Sequence, residues 1–209
     1  MNKKREFKKN RKKNQTKIII VTGSIGMGKS TTTSLYKFLG YPYFDSDSYV
    51  KKLSRFNTPV FKKISAVFPN VILNKKIDRE SLGKIVFSNK EARLKLEKII
   101  HPIIKKEKDK FFKFHKLRRS KVVIFDIPLL FELHQEKKYN NIIVNSAPSF
   151  LQRQRVLKRK GMTMERFNNI LKIQTTDAIK RKYCKYLIQS GLGKRFVLNK
   201  LKKIKGSYR

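Results

Sequence analysis

The segment Gly23-Ser24-Ile25-Gly26-Met27-Gly28-Lys29-Ser30 satisfies every fixed position of the pattern G-x-x-x-x-G-K-[ST], and Thr31 follows it. Before it, residues 17–22 (KIIIVT) form an apolar, β-branched run that reads as a buried strand; after it, 29–39 reads as a helix closed by Gly40. Strand, glycine loop and helix together make mechanical sense of the pattern. Glycines let the loop turn so that successive backbone N–H groups converge on a phosphate, and the helix N-terminus adds partial positive charge. The chain is thereby constrained to an α/β fold with a nucleoside triphosphate site at the carboxyl end of its first strand. Gly26, Met27, Gly28, Lys29, Ser30 and Thr31 are the expected phosphate-holding residues, with Lys29 reaching the β- and γ-phosphates and the Ser30 hydroxyl a ligand for Mg²⁺. The competing reading is a glycine-rich turn of structural use only.

The remaining chain alternates in the same way. Strands are expected over 41–44, 121–126 (KVVIFD), 141–145 (NIIVN) and, short, over 186–189, with a helix starting near Ser46 or Ser48. Pro148 opens a helix to Arg159, Gly161 interrupts, Thr163 begins another helix, and 193–205 reads as a last amphipathic one. Strands alternating with helices predict a central parallel sheet flanked by helices. Between 58 and 118 the pattern is helical throughout, large enough for an inserted subdomain, with a break expected at His101-Pro102 because proline cannot donate an interior helix bond.

The 209 residues include 53 Lys or Arg against 14 Asp or Glu, a formal net charge of +39. A field of that size attracts polyanions. The duller reading is compositional: Lys, Asn, Ile, Phe and Tyr crowd the chain while Trp is absent, and the lysines are spread along it rather than gathered in one stripe. Residues 1–16, with eight basic residues and one acid, read as a disordered basic arm ahead of a single domain over 17–209. One cysteine, Cys184, excludes an internal disulfide framework and fits a reducing cytosol, and three scattered histidines give no zinc-like spacing. No apolar run approaches the ~20 residues that cross a bilayer, and no apolar leader segment precedes Ile18, so neither a membrane span nor a secretion signal is expected.

In so basic a chain the surviving acids carry information. Asp45 and Asp47 stand at the exit of the second expected strand and Asp126 at the end of the third, where ligands bind in open α/β sheets. Phosphoryl transfer needs a metal and a group that orients or deprotonates the attacking hydroxyl, for which Asp is the usual choice. Asp45 or Asp47 could instead cap a helix. Asp126 could sit in a Mg²⁺ shell or contact the acceptor, and Glu132 could do the latter or be a solvated charge. Arg155 and Arg159 are four apart on the Pro148 helix and would leave one face, where a lid could carry them to nucleotide phosphates; solvated surface is the alternative.

Thr22 to Thr31, then Asp45-Ser46-Asp47, His101-Pro102-Ile103-Ile104, Asp126-Ile127-Pro128-Leu129-Leu130-Phe131-Glu132, the Gln152 to Arg159 helix and Gln174 resemble, in that order, the bacterial dephospho-CoA kinase family. The resemblance runs from about residue 17 to 201. It implies a P-loop kinase with a helical acceptor-binding insertion and a lid over about 150–180. It also implies transfer of the ATP γ-phosphoryl to the 3′-hydroxyl of dephospho-CoA, the last step of coenzyme A synthesis, by a cytoplasmic enzyme without specific nucleic-acid or membrane partners, a monomer being favoured. By position, Asp47 takes the role of the base, Lys29 and Arg155 act on the nucleotide, and Asp45, His101, Asp126, Pro128 and Glu132 face the acceptor. Ser24 stands where the family usually has Gly, Met27 where it has Ser, Lys160 where it tends to Asp, and Lys185 and Gln189 replace acidic or amide residues near the last strand.

Overall fold

The computed structural model describes residues 15–208. The arm expected over 1–16 therefore lies outside the described residues, apart from Gln15 and the buried Thr16. The described residues divide into two compact units, one formed by 15–44 and 114–208 and one by 45–113.

The first unit is built on a five-stranded parallel sheet. Its strands are β1 (Lys17–Thr22), β2 (Tyr43–Asp45), β5 (Val122–Asp126), β6 (Ile142–Ser146) and β7 (Tyr186–Gln189), in the order β2-β5-β1-β6-β7. β1 lies at the centre, with Ile19 opposite Ile124 on one side and Val21 opposite Ile143 on the other. Strands with both faces covered read as continuous apolar runs rather than alternating ones, and β5 and β6 are buried at every residue. The helices here are α1 (Lys29–Phe38), α6 (Ser149–Leu157), α7 (Met164–Ile173), α8 (Asp177–Lys182) and α9 (Lys194–Gly206). One sheet face packs Ile19, Val21, Ile124, Ile143 and Ile188 against Tyr36 of α1 and against Val197, Leu201 and Ile204 of α9. The spacing 197, 201, 204 is the apolar stripe of an amphipathic helix; the rest of α9 carries six Lys or Arg and no acid, and all but Lys205 are exposed.

The second unit contains α2 (Ser46–Leu53), α3 (Pro59–Val67), a hairpin of β3 (Ile72–Leu73) and β4 (Lys76–Ile77), α4 (Arg79–Ser88) and most of α5 (Lys90–Leu117). It has its own small core of Val60, Ile64, Phe68, Val71 and Ala92. Caps define its helices: Thr58 accepts from Phe61 N–H with Pro59 in the first turn, and Asp78 accepts from Glu80 and Ser81 N–H. Hydrogen bonds from Ser81 hold the Asp78 carboxyl below its usual range. The helical insertion expected over 58–118 corresponds to a unit that begins at Asp45 and ends at Lys113.

Two expectations for this stretch are corrected. The pattern is not helical throughout: Asn74 and Lys75 both take positive φ, 47° and 59°, and close the β3–β4 hairpin with a two-residue turn. An Asn-Gly turn would have announced it, whereas Asn-Lys carries a weaker signal. Nor does His101-Pro102 break the chain, since α5 runs unbroken for 28 residues with Pro102 inside it. Proline removes only its own bond to the carbonyl four residues back. Leu96, Ile99 and Ile103, on either side of it, still pack against the second unit's core and hold the helix through the defect.

Candidate active site

Gly26 and Gly28 have φ of 75° and 83°, the left-handed region that glycine enters without strain. The loop has no room for side chains there. A Cβ on Gly26 would lie 2.6 Å from Val156 Cγ2 and 2.9 Å from the Gln152 carbonyl, and one on Gly28 would run into the Ser190 side chain. Gly26→Ala should therefore lower ATP affinity by roughly tenfold or more and depress the melting point by several degrees. Titration calorimetry with a non-hydrolysable ATP analogue, alongside thermal melting, checks both.

Gly28 is also the N-cap of α1. It offers no capping side chain, and the first turn of the helix contains no acid. An uncapped helix start without local negative charge presents its N–H groups and its positive dipole end to an anion. Side chains from elsewhere fix the loop around that opening. The Ile25 peptide is held on both sides: Gln152 Nε2 donates to its carbonyl at 2.7 Å, and its N–H donates to Gln174 Oε1 at 3.0 Å. Arg155 Nη1 reaches the Gly26 carbonyl at 3.4 Å and Ser190 Oγ at 2.9 Å, while Ser190 Oγ donates to the Met27 carbonyl at 2.9 Å. Behind the loop, Thr32 Oγ1 donates to Asn145 Oδ1, and Asn145 Nδ2 donates to the Thr22 carbonyl at 3.0 Å.

Lys29 Nζ meets Asp126 Oδ1 at 2.6 Å. Asp126, at the end of β5, is 4% exposed, and its other oxygen accepts from Tyr43 O–H at 2.8 Å. The β1–β5 register brings this about, because Val21 pairs with Asp126 and the strand ends that bear the loop and the carboxylate align. The Ser30 side chain is exposed in the first turn of α1. A hydroxyl and a carboxylate are hard oxygen donors, and Mg²⁺ characteristically takes one or two such protein groups beside phosphate oxygens and water. The residues present fit that ion; no denser group of His, Cys, Asp and Glu occurs among the described residues.

The first unit thus brings together Gly26 to Thr31, Asp126, Pro128, Glu132 and Arg155. Pro128 accepts from Thr22 Oγ1 through its carbonyl at 3.3 Å. Glu132 is not a solvated helix charge: its side chain is 10% exposed and pairs with Lys180. Arg155 is anchored beside the phosphate loop by Ser190 and Gly26, and its helix is rooted by the buried Gln152 and Val156. α6 closes at Leu157, so the face expected to carry both Arg155 and Arg159 ends short of Arg159, which is exposed in the turn that Gly161 completes at φ 72°.

Asp45, Asp47 and His101 belong to the second unit. Asp45 is the N-cap of α2, accepting from Ser48 N–H at 3.0 Å and Ser48 Oγ at 2.7 Å. Asp47 is exposed in the first turn of the same helix, and His101 is exposed on α5. Sequence reasoning did not single out Tyr43, Asn145, Lys180 or Ser190. Ser190 could have been found from its place just past the end of β7; nothing local distinguishes Lys180 from the other lysines.

A parallel five-stranded sheet with this loop between β1 and α1 defines the chain as a P-loop nucleoside triphosphate-binding protein. Residues 17–193 match the sequence profile of the family described as Dephospho-CoA kinase. The chain belongs to that family. It is 41% identical over 172 residues to a dephospho-CoA kinase of Novosphingobium aromaticivorans, covering 82% of this chain and 85% of that protein. Among solved structures it is similar to a Thermus thermophilus protein, with a TM-score of 0.78 and 27% identity over 93% of this chain and 99% of that one. It is also similar to the dephospho-CoA kinase from Campylobacter jejuni, with a TM-score of 0.61 and 26% identity over 92% and 97% of the respective chains.

Proposed function

We propose that the chain transfers the γ-phosphoryl group of ATP to the 3′-hydroxyl of dephospho-CoA, yielding coenzyme A and ADP. The observation that carries this reading is the uncapped phosphate loop with Lys29 lodged on Asp126, in a member of the dephospho-CoA kinase family. The acceptor's 3′-oxygen attacks the γ-phosphorus, the bond from that phosphorus to the β,γ-bridging oxygen breaks, and ADP leaves. Asp47 receives the hydroxyl proton. Lys29 exchanges Asp126 for the β- and γ-phosphates when nucleotide enters, because phosphate carries more negative charge than one carboxylate. Ser30 and Asp126 would hold Mg²⁺, which supplies charge neutralisation at the phosphates when bound. Arg155 steadies the loop carbonyls and places a cation beside them. Asp45 fixes the start of α2 and thereby the position of Asp47 within that helix, while His101, Pro128 and Glu132 serve the acceptor. The enzyme works in the cytoplasm as a monomer, with its lid formed by about 150–180.

The test is ADP release coupled to a dehydrogenase, with and without dephospho-CoA, and mass analysis of the product. Acceptor-dependent ADP with a product heavier by one phosphoryl group is the expected result. Folded, ATP-binding protein that releases no acceptor-dependent ADP would overturn the reading.

A further inference from the structure

A buried lysine to which the proposed chemistry assigns no role joins three of the segments that carry it. Lys180, on α8, has 0% exposure. An ammonium removed so fully from water requires a fixed counter-charge and acceptors for its hydrogens. It meets Glu132 Oε1 at 2.9 Å and donates to Ser24 Oγ at 3.0 Å, with the Phe131 ring 5.9 Å away. Ser24 belongs to the phosphate loop, and Glu132 closes the segment that follows Asp126. The same Glu132 oxygen accepts from Thr175 N–H at 3.0 Å, one residue after the Gln174 that holds Ile25. The phosphate loop, the segment after β5 and the α7–α8 joint therefore meet at a single buried ion pair. Glu132 Oε1 is used twice, while Glu132 Oε2 is buried with no hydrogen-bond partner among the described residues. An unsatisfied acceptor atom on a side chain nine-tenths withdrawn from water is a position at which a ligand O–H or N–H removes a penalty.

We propose that Lys180 is a positioning residue for phosphoryl transfer: by gripping Glu132 Oε1 and Ser24 Oγ together, it holds the phosphate loop in register with Glu132 and leaves Oε2 to accept a hydrogen bond from the hydroxylated acceptor. The inference rests on the function proposed above for the acceptor half of the statement only; the grip on the phosphate loop concerns nucleotide binding alone. Lys180 touches no substrate and acts through Ser24 and Glu132.

The experiment compares full-length wild type with Lys180→Met, Glu132→Gln, their double variant and Ser24→Ala. Melting temperature, affinity for a fluorescent ATP analogue, and kcat and KM for both substrates are measured. Lys180→Met strands a buried carboxylate and melts early; the double variant removes both charges and recovers the melting temperature. The double variant nonetheless binds the ATP analogue about tenfold more weakly than wild type and turns over about 10²-fold more slowly, because the tie to Ser24 is gone. Ser24→Ala melts like wild type and weakens nucleotide affinity by a comparable factor, since it removes the same tie. Glu132→Gln raises the acceptor KM more than the ATP KM. A double variant that regains both melting temperature and full nucleotide affinity would show a merely structural lysine and overturn the proposal. If Lys180→Met does not fold, the double variant and Ser24→Ala decide. Wild type that binds the analogue but ignores dephospho-CoA sinks the functional reading, and the affinity arm still judges the grip of Lys180 on the loop.

Discussion

Asp47→Asn lowers kcat for acceptor-dependent ADP release by about 10³-fold while leaving the affinity for an ATP analogue within roughly twofold of wild type. A carboxylate that takes the hydroxyl proton acts only on the acceptor, and its amide cannot accept that proton. Asp47 offers an exposed carboxylate in the first turn of α2. Its neighbour supplies the control. Asp45 caps the same helix through Ser48, and Asn caps nearly as well as Asp, so Asp45→Asn should cost less than about tenfold. Steady-state kinetics with both substrates and equilibrium titration of the analogue separate the two carboxylates. An Asp47→Asn enzyme within tenfold of wild-type kcat would remove Asp47 from the chemistry.

Lys29→Met reduces kcat/KM for ATP by about 10³-fold or more, close to 4 kcal/mol of transition-state stabilisation. The ammonium is the flexible cation of the loop, and no backbone N–H can replace a full charge on the transferring phosphoryl. A second effect accompanies the first. Lys29 pairs with an Asp126 carboxylate that is 4% exposed, so its loss leaves that buried charge less compensated and lowers the melting temperature of the nucleotide-free enzyme. Asp126→Asn in the Lys29→Met background should recover part of the melting temperature without restoring turnover. Recovery of turnover would mean that the lysine serves only to neutralise Asp126.

Most of the first unit was legible because its signals are local. β1 and β7 occupy the expected residues, 17–22 and 186–189, and β5, β6, α1 and α9 differ from expectation by a residue or so at their ends. Buried parallel strands must be apolar along their whole length, and Gly40, Pro148 and Thr163 punctuate the helices in ways that depend on nothing distant. The misses share one cause. Pro102 stays helical because packing on both sides outweighs one lost hydrogen bond, and the β3–β4 turn forms on Asn-Lys because a small core holds its strands together. Tertiary contacts overrode a local rule in both places.

The charge surplus divides along the same line. Among the described residues most of it is spread over exposed side chains, as on α9, while Asp126 and Lys180 are the buried charged side chains there, each in an ion pair beside the phosphate loop. A lysine that holds a site together and a lysine that merely faces water are identical in a string of letters.

The sequence by itself determined the phosphate loop, the alternation that forces a parallel sheet, and the acids placed at strand ends, because each follows from residue type and spacing over short distances. Only the tertiary structure decided that Lys29 rests on Asp126, that Asp45 is occupied as a cap, that Arg155 is bolted to Ser190, and that Lys180 ties Ser24 to Glu132. Those pairings span up to 156 residues of chain, and burial, which separates an ordinary lysine from a positioned one, exists only after the sheet has brought its strand ends together.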